Sequence, residues 1–129
     1  STYIFQGAEI DACDASGRSP LLLAATNRSW ASANALLVRQ ADVTVRDRER
    51  RTILHLIVQN GGKPSLICVD FCQEKLRRLL DERDTAGNTP LHYAAIGGQP
   101  STIGCLLGLG AALNVTNNLL QSPLHLAAR

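Results

Sequence analysis

Polar and apolar positions along the chain fall into a block that recurs four times. Each block opens on polar, turn-forming residues, passes through a hydroxyl side chain and runs into a short apolar stretch. The copies are DASGRSPLLLAA from Asp14, DRERRTILHLIV from Asp47, DTAGNTPLHYAA from Asp84 and NNLLQSPLHLAA from Asn117, with starts 33, 37 and 33 residues apart. The local chemistry predicts a helix in each copy. Ser19, Thr52, Thr89 and Ser122 stand where a side-chain oxygen can accept a free N–H of the first turn. Pro20, Pro90 and Pro123 follow at the first helical position, where a missing N–H costs nothing. Gly61 and Gly98 mark a reversal into a second helix, because glycine takes left-handed backbone without a Cβ clash. The pairs Leu36-Leu37, Leu79-Leu80 and Leu106-Leu107 are expected to end those second helices and face inward. Ala24-Ala25, Ala94-Ala95 and Ala127-Ala128 let first helices approach their neighbours closely. Such a unit cannot bury its apolar face alone, so the copies are expected to stack as a solenoid.

A period near 33 with a T-P-L-H-like core resembles the ankyrin repeat. The fold that this resemblance implies is all-α: an ankyrin-repeat solenoid of stacked helix-turn-helix units with short hairpin fingers. GAEID from Gly7, QADVT from Gln40 and GAALN from Gly110 resemble those fingers. Residues 1–13 read as the tail of a preceding repeat, 14–46 as one repeat, 47–83 as an irregular repeat, 84–116 as another, and 117–129 as the first helix of a truncated one. Neither end carries a polar capping unit, as expected of a section of a longer array. Repeat one has Arg28 at the turn glycine and Leu22 at the histidine position. Repeat two departs further. From Ile53 to Leu80 is 27 residues, where its siblings take 17, and Leu80 to Asp84 is only four, where Leu37 to Asp47 is ten. The unit therefore has no room for a finger. Pro64, with no glycine after Gly62, predicts one long second helix over residues 65–80.

The order of these features narrows the resemblance. GRSPLLLAA followed by Ser29-Trp30, then TILHLIVQNGG, a helix-rich insertion without a finger, GNTPLHYAA and SPLHLAA is similar to the ankyrin array of the transient receptor potential ankyrin (TRPA) channel subfamily, across about residues 7–129. That resemblance implies a tetrameric, non-selective cation channel, with this segment in an array on the cytosolic side of the plasma membrane. Its role there is structural and gating-coupling, in thermal, chemical or mechanical sensing. The implied partners are neighbouring repeats of the chain, other channel subunits and cytosolic proteins. No cysteine here matches the family's known electrophile-accepting motifs, so none is carried over. The alternative, from another class, is a soluble ankyrin adaptor that binds a partner protein; fold alone does not separate the two.

Composition narrows the remaining choices. The chain has 129 residues, 45% of them hydrophobic and only five aromatic, so the core must rest on Leu, Ile, Val and Ala. A net charge of +2 gives no ground for nucleic acid as a partner. No apolar run is long enough to span a bilayer, and the first residues lack the pattern of a signal peptide. The sequons at Asn27 and Asn114 would need a secretory compartment, against which the repeat architecture argues.

Candidate chemistry is sparse. His55, His92 and His125 occupy one equivalent position in three repeats and are expected to tether adjacent loops by hydrogen bonds, not to bind metal. Cys68 and Cys72, four apart on a helix, read first as packing residues, with redox or electrophile modification as the alternative. Cys13, in a finger, is the more exposed candidate for such modification. The run RDRERR offers Arg48, Arg50 and Arg51 as anion contacts, and Lys75, Arg77, Arg78 and Arg83 follow on the inserted helix, so that a phosphoinositide or polyphosphate site is one reading; the interspersed acids favour a solvated mixed-charge surface. GGKPS at residues 61–65 fails as a phosphate loop, because its upstream glycine is absent and Pro64 replaces the magnesium ligand. Trp30 is expected to pack at the start of a second helix. No catalytic triad, paired carboxylates or metal motif is present, so neither an enzyme nor a cofactor is expected.

Overall fold

The computed structural model describes residues 10–62 and 70–127. Seven helices follow one another: α1 (Pro20–Thr26), α2 (Trp30–Val38), α3 (Ile53–Gln59), α4 (Asp70–Arg77), α5 (Pro90–Ile96), α6 (Pro100–Leu109) and α7 (Pro123–Ala127). Among the described residues there is no strand. The fold is the helical ankyrin solenoid. First helices stack in a row, α1 on α3, α3 on α5 and α5 on α7, while α2 covers α1 and α6 covers α5.

Each first helix starts where the block chemistry places it. Ser19 Oγ accepts the Leu22 N–H at 3.3 Å, and Ser122 Oγ accepts that of His125 at 3.2 Å. Pro20, Pro90 and Pro123 each open their helix. The faces so presented are apolar. Leu21, Ile53, Leu54, Ile57 and Leu91 are almost entirely buried, with Ala25, Ala33 and Ala94 filling the closest approaches. Burying side chains of this size contributes about 1.5–3 kcal/mol each. Trp30 opens α2 and lies flat on Gly62, where a Cβ would come within 2.9 Å of the indole ring.

The reversal after each first helix uses left-handed backbone whatever the residue. Its φ is +59° at Arg28, +84° at Gly61 and +61° at Gly98. The tip of each block does the same, at Gly17 (+77°), Arg50 (+61°), Gly87 (+81°) and Leu120 (+60°).

Two details differ from the sequence-based expectations. Leu79 and Leu80 are buried, but they lie in the turn after α4 and not at its end. The helix gives way at Arg77 to tight i→i−3 bonds: Arg78 N–H to Lys75 O, Leu79 N–H to Leu76 O and Leu80 N–H to Arg77 O. Leu106 is buried, yet Leu107 is 36% exposed, because no described helix lies over that side. The described part of the expected long second helix is α4, Asp70–Arg77. The expected extension back to residue 65 falls outside the described residues.

Candidate interaction surface

The block tips form a ladder along one edge of the stack. Within each tip an Asx side chain ties its own loop. Asp14 Oδ1 accepts the N–H of Ser16 and Arg18, Asp47 Oδ1 that of Glu49 and Arg51, Asp84 Oδ1 that of Ala86 and Asn88, and Asn117 Oδ1 that of Leu119 and Gln121. Between tips, Arg48 donates to Ala15 O, Thr85 N–H to Glu49 O at 2.8 Å, and Asn118 N–H to Ala86 O at 2.9 Å. A Cβ on Gly87 would meet Asn118 Oδ1 at 2.6 Å and its backbone N at 2.8 Å, so the tips touch directly.

The histidines form a second row of ties. His55 Nδ1 accepts the Thr52 N–H at 3.0 Å, which fixes the proton on Nε2, and Nε2–H donates to Asn88 O at 2.8 Å. His92 repeats this, with Thr89 N–H at 3.0 Å and Gln121 O at 2.9 Å. His125 accepts the Ser122 N–H at 3.1 Å. Burial lowers the pKa of both His55 and His92, against the opposing effect of their carbonyl bonds. Both are therefore neutral structural groups. The His55 and Tyr93 rings pack edge to face, their centroids 5.6 Å apart and their planes at 86°. The Tyr93 hydroxyl donates to Asp84 Oδ2, and burial together with that bond pushes its pKa well up. Among the described residues no three metal-ligating side chains gather.

The arginines singled out in the sequence part company. Arg51 is committed: its Nε meets Asp47 Oδ2 at 2.8 Å, and its terminal nitrogens reach Glu49 and Gln59. Arg48 is spent on the neighbouring tip, and Arg50 is exposed at the turn. Cys13 is exposed and Cys105 half-buried. Cys68 lies outside the described residues, and Cys72 lies on α4.

Two grooves offer themselves to partners. One, of about 230 Å³, is lined only by apolar side chains, among them Leu91, Ile103, Leu107, Leu113, Pro123 and Leu124. The other, of about 380 Å³, opens between residues 40–44 and Lys75, Arg78 and Leu79. It sits where unit two has no finger. Sequence reasoning noted the six-residue deletion but not the hole it leaves; the signal available was two cations just ahead of the deletion.

The family model described as "Ankyrin repeat" matches residues 86–118. The chain is 38% identical, over 95% of its length, to "Transient receptor potential cation channel subfamily A member 1" of Homo sapiens, covering 11% of that protein. It is 39% identical, over 88% of its length, to the protein of the same name from Drosophila melanogaster, covering 10% of it. It is 35% identical, over 85% of its length, to "NF-kappa-B inhibitor delta" of Mus musculus, covering 34% of it. The chain thus spans about a tenth of the length of the two channel relatives.

Proposed function

Because this chain belongs to the ankyrin-repeat family and resembles the TRPA channels over nearly all of its length, we propose that it is a section of the cytosolic ankyrin array of a TRPA-type non-selective cation channel, structural in itself and coupled to gating. The observation that carries this reading is the reach of the similarity, which runs through the irregular second unit as well as the regular ones. The physical support is continuity. Tip bonds join each unit to the next, and histidine bonds add to them from unit two onward, so a displacement imposed at one end is passed along the stack instead of being absorbed between units. An adaptor reading stands second, favoured by the similarity to an NF-kappa-B inhibitor. In either case the array works by contact, with channel subunits or other proteins as partners. Cys13, Cys68 and Cys72 are the candidates for redox or electrophile modification; of Arg48, Arg50 and Arg51, the exposed Arg50 is the candidate for anion contact, since Arg51 is paired with Asp47 and Arg48 bonds the neighbouring tip.

The test is the full-length protein. The channel reading expects six apolar segments of about 20 residues beyond this section. It expects Leu79→Asp, which buries an unpaired charge at a core position, to cut cation current per surface channel severalfold. Serine at all of Cys13, Cys68, Cys72 and Cys105 should leave most of any electrophile response. A full-length chain with no such apolar segments returns the adaptor reading. Normal gating by Leu79→Asp, with electrophile response lost in the serine variant, would reverse the assigned roles.

A further inference from the structure

The fingers of successive units are joined by one repeated bond, and at a single step that bond is missing. The Asp11 carboxylate accepts the Asp42 N–H at 2.9 Å, and 31 residues separate them; Asp81 accepts the Ala112 N–H in the same way, also at 2.9 Å. At the intervening step the place of Asp11 is taken by Thr44, and unit two has no finger to receive a bond. Thr44 turns back instead, its hydroxyl donating to Asp42 Oδ1 at 2.6 Å and its N–H to the same oxygen at 2.9 Å. The 380 Å³ groove lies at this missing step. Its floor is apolar, from Ala41, Val43 and Leu79, all buried. Its rim carries Lys75 and Arg78, both exposed and in no ion pair among the described residues. Facing them is the Asp42 carboxylate, whose Oδ2 accepts no hydrogen bond among the described residues. The Thr44 bonds, with a smaller contribution from the Lys75 charge, keep that carboxyl below its usual range, so it stays ionised.

We propose that this gap in the row of fingers is a docking groove for an extended acidic peptide segment of a partner protein, which completes the row. The chemistry selects this occupant. On either side of the gap the row is joined by a backbone N–H on an aspartate; here Thr44 holds that position, and the Asp42 carboxylate two residues before it is the acceptor that an incoming backbone N–H can reach. Acidic side chains of the segment meet the Lys75 ammonium and Arg78 guanidinium, and its small residues lie on the apolar floor. A free phosphate suits the groove less well. Asp42 and the C-terminal end of α4, with its partial negative charge, both repel a compact anion that has no N–H to offer. The proposal rests on neither the channel nor the adaptor reading.

The test uses the full 129-residue chain and a capped, fluorescein-labelled peptide of alternating aspartate and glycine, read by anisotropy at low salt. Binding that weakens as sodium chloride is added is expected. Lys75→Glu with Arg78→Glu should weaken it about tenfold or more, with the helical circular dichroism of the folded chain retained; Lys75→Gln with Arg78→Gln, a milder pair, should act in the same direction. A peptide with N-methylglycine for glycine has the same charge but lacks those N–H groups, and should bind severalfold more weakly. No binding at about 1 mM protein overturns the proposal. So does binding unchanged in both charge variants. Equal binding of the N-methylated peptide, or its displacement by inositol hexakisphosphate at lower concentration than by unlabelled peptide, makes the groove a free-anion site and likewise overturns it.

Discussion

His55 is the side chain whose removal tests the stack most directly. It is fully buried, as is Thr52, whose N–H it accepts. His55→Ala removes two hydrogen bonds, each a net contribution of about 1 kcal/mol. It also strands the buried Thr52 N–H, at a further cost of about 1 kcal/mol or more. The edge contact with Tyr93 adds about 0.5–1.5 kcal/mol. The loss should total about 3.5–4.5 kcal/mol, a large part of the stability of a domain this size. His55→Gln separates the parts. Glutamine at this helical position reaches back to the cap N–H, as in a capping box, but does not extend to Asn88 O. It should recover about half of the loss. Urea unfolding followed by circular dichroism at 222 nm, at pH 7.5, gives both numbers. A loss below about 1 kcal/mol for alanine would refute the reading that these bonds hold the stack together. Full recovery by glutamine would show that the bond to the next loop contributes nothing.

Two further outcomes follow from the same geometry. His55 and His92 have folded pKa values below 6.5, so near neutrality the unfolded chain binds more protons than the folded one; their contribution is complete above pH 6.5 and is lost as pH falls through the folded values, at up to about 1.4 kcal/mol per pH unit for each. The urea midpoint should therefore drop from pH 7.5 to 5.5, and drop less in His55→Gln; a midpoint that rises on acidification would contradict this. Gly87→Ala should cost clearly more than Gly98→Ala, because both have positive φ but only the first drives a Cβ into Asn118. Gly98→Ala should cost about 1 kcal/mol, and equal losses in thermal unfolding would remove the direct tip contact from the account.

The regular units were legible because their determinants are local. A hydroxyl, a proline and an apolar run sit side by side in SPLLLAA, TPLHYAA and SPLHLAA, and each acts within one turn of helix. The histidine ties were legible by repetition, since a residue that recurs at one register meets the same neighbour each time. What failed to show was whatever depends on a missing neighbour. Leu107 reads like Leu37, and only the absence of a covering helix among the described residues exposes it. Lys75 and Arg78 read as solvated charges, and only the hole left by a deleted finger gives them something to face. The tip bonds from Thr85 to Glu49 and from Asn118 to Ala86 join residues 36 and 32 apart, with no signature beyond the period itself.

The left-handed tips have a consequence for descent. Gly17, Arg50, Gly87 and Leu120 hold one backbone shape with three different residues, and Arg28 shares another with Gly61 and Gly98. Holding an arginine or leucine in that shape costs only about 1–2 kcal/mol, well within what a buried leucine pair supplies. Each unit can therefore shed a signature residue and keep its place in the stack. Recognisable sequence decays faster than the architecture it encodes. A family description tuned to signature residues is then bound to favour the unit that has kept them, TAGNTPLHYAA with its glycine, threonine, proline and histidine, and that is where the match of residues 86–118 falls. Old arrays of this kind look shorter in sequence than they are in space.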